Sequence, residues 1–173
     1  IRFASKNGQT AIVKMLIKDE RVNPSVDDNE TIQLASQNGH TEIVQLLLND
    51  ERVDPSAEDN YAIQLASENG HTEIVQMLLG DERVDPSAND HYAVQLASES
   101  GHCEIVKILL IDERVDPSAN DNYAIQLASE NGHTGIVQTL LDDMRVDPSA
   151  EDNHSIRLAS ANGHTGIVQI LLN

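Results

Sequence analysis

The chain has 173 residues, 39% of them hydrophobic and 2% aromatic, and a formal net charge of -18 at pH 7. So acidic a surface repels phosphate backbones and anionic headgroups, which argues against nucleic acid and membranes as partners. A single cysteine, Cys103, excludes an intramolecular disulfide and suits a reducing, cytoplasmic setting. No stretch reaches the ~18 apolar residues of a membrane span.

Prolines stand at Pro24, Pro55, Pro86, Pro117 and Pro148, each 31 residues after the last. The text around them recurs as well: Arg-Val-Asp-Pro-Ser-Ala at 83–88, 114–119 and 145–150, and Asn-Gly-His-Thr at 38–41, 69–72 and 131–134. A fixed period of this length marks a stacked array whose core runs between units. Six copies are in register at Gly8, Gly39, Gly70, Gly101, Gly132 and Gly163. The expected units are 1–28, 29–59, 60–90, 91–121, 122–152 and 153–173, one array over 1–173. Because no polar capping unit stands at either end, the array is expected to be a segment of a longer one.

Within a unit the elements follow one another in a fixed order. Asp59-Asn60 offers N-cap oxygens to a first helix through Ala62-Ile63-Gln64-Leu65-Ala66-Ser67-Glu68. Asn69-Gly70 ends it, since glycine accepts the left-handed conformation that closes a helix. Thr72 is placed to cap a second helix, with Glu73 against its positive end. Ile74, Val75, Met77, Leu78 and Leu79 then form an apolar arc wide enough for neighbours on both sides. The loop 80–87 follows, with Val84 as its apolar anchor and Pro86 as its turn. The reading is all-α, helix–turn–helix–loop repeated, with strand limited at most to short contacts between successive loops.

Gly70-His71-Thr72-Glu73-Ile74-Val75-x-x-Leu78-Leu79 resembles the second helix of an ankyrin repeat, and Val84-Asp85-x-x-Ala88 resembles that family's loop. The likeness spans all six copies. It implies an ankyrin-type solenoid of six stacked units with short loops, a non-enzymatic scaffold for protein partners, and a concave binding face. The repeat is shorter than the family's usual length of about 33 residues, and the T-P-L-H opening is replaced by Tyr61-Ala62-Ile63-Gln64.

The histidines His40, His71, His102, His133 and His164 read as turn residues bonded to loop backbone: packed helices lie ~8–10 Å apart, too far for neighbours to share one zinc ion readily. Acidic loops around Asp54, Glu58 and Asp59 lack EF-hand spacing. No nucleophile elbow, P-loop or H-E-x-x-H occurs, so neither catalysis nor a cofactor is expected. Tyr61, Tyr92 and Tyr123 share one slot in consecutive copies, beside Asp59, Asp90 and Asp121 and ahead of Gln64, Gln95 and Gln126. These nine residues are the candidate contact set for a basic protein partner, the other reading of each tyrosine ring being that it packs over the neighbouring unit and leaves hydroxyl and carboxylates accessible. The alternative is structural: nearly neutral ends stacking on further repeats or on another copy, end to end.

Overall fold

The computed structural model describes residues 1–173 and contains twelve helices and no strand. They are α1 (Arg2–Lys6), α2 (Thr10–Ile17), α3 (Val26–Gln37), α4 (Thr41–Leu48), α5 (Ala57–Glu68), α6 (Thr72–Leu79), α7 (Ala88–Glu99), α8 (Cys103–Ile111), α9 (Ala119–Glu130), α10 (Thr134–Leu141), α11 (Ala150–Ala161) and α12 (Thr165–Leu171). The all-α helix–turn–helix repeat is therefore as the periodicity predicts, and the loops make no strand contacts. The chain divides into two compact units, Ile1–Asp85 and Pro86–Asn173, of three helix pairs each. In the first unit α1, α3 and α5 pack in a row, and so do α2, α4 and α6. In the second, α7, α9 and α11 form one row and α8, α10 and α12 the other.

The apolar arc explains this packing. Ile74, Val75 and Leu78 are buried on α6, as are Ile105, Val106 and Leu109 on α8. Val84 and Val115 anchor their loops in the same layer. A small side chain between the rows lets helices approach, and Ala35, Ala66, Ala97, Ala128 and Ala159 are all fully buried. The first helix of each pair ends at a glycine of positive φ, and the N–H that follows the glycine bonds the alanine carbonyl five residues back. In the second pair, the His40 N–H reaches the Ala35 carbonyl at 2.9 Å and the Gly39 N–H reaches Ser36 at 3.4 Å.

Two local expectations need correction. Asp59-Asn60 does not cap a helix. Glu58, Asp59 and Asn60 lie at φ 54, 53 and 63, a left-handed turn set between Ala57 and the helical run that follows. The same triplet recurs at 27–29, 89–91, 120–122 and 151–153, so every expected unit border falls inside one. Thr72 is likewise no side-chain cap: His71 occupies that position, and its carbonyl receives the Val75 N–H at 3.0 Å.

Three polar staples join successive repeats within each unit. The last triplet residue is the first: Asn29 Oδ1 accepts from the Asp54 N–H at 2.8 Å, and Asn122 Oδ1 from Asp147 at 2.7 Å. His91 stands in an asparagine column and does the same work, its Nδ1 accepting from the Asp116 N–H at 3.0 Å. An arginine is the second. Arg83 forks onto Asp81 through Nε and Nη2 at 2.8 and 2.6 Å, while its remaining hydrogens reach Val53 O at 2.8 Å and Leu48 O at 3.1 Å. Leu48 ends α4, so the guanidinium satisfies a carbonyl left open by that helix and sits at its negative pole. The histidine column is the third: His71 Nε2 donates to Gln37 O, and His133 Nε2 to Glu99 O, both at 2.9 Å. The reading of these rings as backbone-bonded turn residues holds, with the bonds running between repeats.

Candidate interaction face

The left-handed triplets decide where the candidate side chains go. Non-glycine residues pay about 1–2 kcal/mol each to sit at such φ values, so three in a row need local compensation. Glutamine supplies part of it. Gln64 Nε2 donates to the Asp59 carbonyl at 2.6 Å, Gln95 to Asp90 at 2.6 Å and Gln126 to Asp121 at 2.7 Å. All three glutamines are buried, Gln64 and Gln95 to 3% exposure. Their amide donors are committed to holding the turn.

Turning the chain left-handed before the first helix leaves the carboxylates of Asp59, Asp90 and Asp121 exposed. It also sets the tyrosines one position past the triplet, with Tyr61, Tyr92 and Tyr123 at 41%, 37% and 42% exposure. Each ring is thus partly packed and partly offered to solvent. In the second unit a groove of ≈ 540 Å³ opens between α7 and α9, lined by Asn89, Asp90, Tyr92, Gln95, Asn120 and Tyr123. Of the nine predicted residues, this groove assembles Asp90, Tyr92, Gln95 and Tyr123. Asp121 and Gln126 belong to the next turn along, outside the lining. Tyr61, Asp59 and Gln64 repeat the arrangement in the first unit.

Asn89 and Asn120 escaped the sequence reading. Their column runs Asp27, Glu58, Asn89, Asn120, Glu151. The signal was present: asparagine replaces an acid in the two consecutive repeats whose tyrosines line one groove. The arginines of the staples, Arg52, Arg83, Arg114 and Arg145, also form a column visible in the sequence.

No three His, Cys, Asp or Glu side chains converge as a metal-holding group. No helix is long and apolar enough to cross a membrane.

A family model described as "Ankyrin repeats (3 copies)" matches residues 1–90 and again 91–173. The chain belongs to the ankyrin-repeat family. No curated protein matches it significantly. Ankyrin repeats are in general protein–protein interaction modules and typically non-enzymatic. Within that family this chain departs at the first-helix opening, where tyrosine and buried glutamine stand.

Proposed function

We propose that this ankyrin-repeat chain is a non-enzymatic scaffold that binds a basic protein segment on its tyrosine face. The observation that carries the reading is the groove of the second unit. Tyr92 and Tyr123 present partly exposed rings there, beside the exposed carboxylate of Asp90. A lysine or arginine side chain gains from both kinds of group at once, by cation–π attraction at the ring and charge pairing at the carboxylate. Gln95, which also lines the groove, holds the left-handed turn through its Nε2 bond to the Asp90 carbonyl. Tyr61 with Asp59 in the first unit, and Asp121 in the second, carry the same chemistry in their own repeats. The net charge of -18 speeds the approach of cationic partners and disfavours anionic ones.

Selection of random peptides displayed on phage tests this. Sequences recovered on the wild type should be rich in lysine and arginine. Recovery should collapse on a Tyr92→Ala/Tyr123→Ala variant, and weaken when Asp59, Asp90 and Asp121 are changed together to asparagine, a residue that tolerates left-handed backbone. Acidic or neutral winners, or winners that bind the variants equally, would refute the proposal.

A further inference from the structure

A second groove lies on the other row of helices in the second unit, between α8 and α10, with a volume of ≈ 570 Å³. Its lining includes Leu110, Ile111 and Met144, and the latter two are among the most exposed large apolar side chains of the chain, Ile111 at 81%. Scattered apolar exposure is ordinary. Two such residues meeting in one groove are not explained by that.

The repeats provide an internal control. The corresponding groove of the first unit, between α4 and α6, is lined by Gln45, Asn49, Met77, Gly80 and Asp81 among others, and holds ≈ 220 Å³. One repeat period at a time, Asn49 and Gly80 become Ile111, Glu51 and Glu82 become Met144, and Met77 becomes Thr139. The first two changes place apolar side chains where sibling repeats carry polar groups or none. The third puts a shorter side chain in the lining. None of the three serves the core: the buried residues of these helices are Ile105, Val106 and Leu109 on α8 and Ile136, Val137 and Leu140 on α10. Ile111 even lengthens its helix, which runs nine residues where α4, α6 and α10 run eight.

The electrostatic setting selects the occupant. Both α8 and α10 end at this groove, so the negative poles of two helices face it. Asp142 lines it and is exposed, and Glu113 stands exposed in the column of Met144 one repeat earlier. Asp143 is already engaged by Arg145 at 2.6 Å, and Lys107, the one cation of the lining, lies 3.9 Å from Glu104 on its own helix. A second copy of this chain would bring another -18 against the first, which disfavours self-association. We infer that the α8–α10 groove is a second docking site, which takes a basic amphipathic helix of a partner protein, apolar face on Ile111 and Met144 and cationic flank toward Asp142. This site is independent of the tyrosine face and can stand if that face fails.

Fluorescence anisotropy with synthetic peptides tests the assignment. The probe is an amphipathic helix of leucine and lysine, compared with one in which glutamine replaces the leucines and one in which glutamate replaces the lysines. Wild type should bind the leucine–lysine helix best. Ile111→Asn/Met144→Glu should weaken that binding by at least about tenfold. Both substitutions install residues that sibling repeats carry, and Ile111→Asn alone serves as a milder second variant. Tyr92→Ala/Tyr123→Ala should leave the leucine–lysine helix bound. Equal binding of that helix to the double variant, or equal binding of the leucine–glutamate helix to wild type, would overturn the assignment. So would a wild-type dimer, seen by sedimentation, that the double variant abolishes.

Discussion

Asn60 Oδ1 receives the backbone N–H of Asp85 at 2.8 Å, a hydrogen bond spanning 25 residues from a left-handed turn in one repeat to the loop of the next. Both ends are polar groups in a tight place: Asn60 is 7% exposed, and the Asp85 amide stands just before the proline that shapes the loop. Removing the side chain strands a donor. Asn60→Leu should therefore cost about 1–3 kcal/mol, read from urea unfolding. His91→Asn should be neutral within about 0.5 kcal/mol, since the asparagine acceptor is what the other repeats use. A stable Asn60→Leu variant would remove this bond from the list of inter-repeat staples.

Gly39 and Gly163 separate two reasons for a glycine. Both have positive φ, +73 and +76. A Cβ on Gly39 would lie 2.7 Å from Cε1 of His71, whereas one on Gly163 meets nothing within 4 Å. Gly163→Ala should cost only the backbone term, about 1–2 kcal/mol. Gly39→Ala should cost more, because the His71 ring must leave its bond to Gln37. Thermal melts of the two variants give the difference directly, and equal shifts would contradict the close-approach argument.

The arginine forks make stability depend on acid. Asp50, Asp81, Asp112 and Asp143 are each held below the usual carboxylate range, first by the side-chain hydrogen bond from the arginine two residues on. A depressed folded-state value means that the unfolded chain takes up protons first. The stabilisation is thus complete above the ordinary aspartate range near 4, and is lost as the pH falls from there through the lowered values. Urea midpoints should hold down to about pH 4–5 and then drop. Arg83→Lys keeps the charge but not the fork to Asp81, Val53 and Leu48, and should cost about 1–2 kcal/mol at neutral pH. It should also flatten the acid limb.

Ser67 and its column mates Ser5, Ser36, Ser98 and Ser129 bury hydroxyls that find no partner among the protein's own atoms. Ser67→Ala removes a polar atom at a fully buried position beside helix-forming residues. It should be neutral or stabilising in denaturant unfolding, and a loss above about 1 kcal/mol would reveal a bond the hydroxyl makes in solution.

The contrasting change is Leu109→Ala. Leu109 is completely buried in the α8 row. Its truncation should cost about 2–5 kcal/mol, because α10 packs against α8 and partial relaxation leaves a cavity where the side chain was. Chemical denaturation indistinguishable from wild type would count against a core shared between repeats.

The candidate face was half legible in the text. The tyrosine slot and the aspartate beside it are columns that any alignment of the copies displays, and Asp90, Tyr92 and Tyr123 do line one groove. The glutamines were legible as a column but not as buried turn locks, since nothing in Tyr-Ala-Ile-Gln says that the chain before it runs left-handed. Ile111 and Met144 could have been found as breaks in an otherwise strict repeat.

By itself, the sequence determined the period, the two helices per repeat, the glycine that ends the first and the apolar arc that packs the second. Each of these is a local property: it depends on spacing along a few turns, which the order of residues states outright. The tertiary structure decided what Asn60, Arg83 and His71 bond to. An asparagine ahead of a helix looks like a cap, an arginine in a loop looks like solvated charge, and a histidine after glycine looks like a turn residue. Their partners lie 25 to 35 residues away and come within reach only when one repeat is laid on the next.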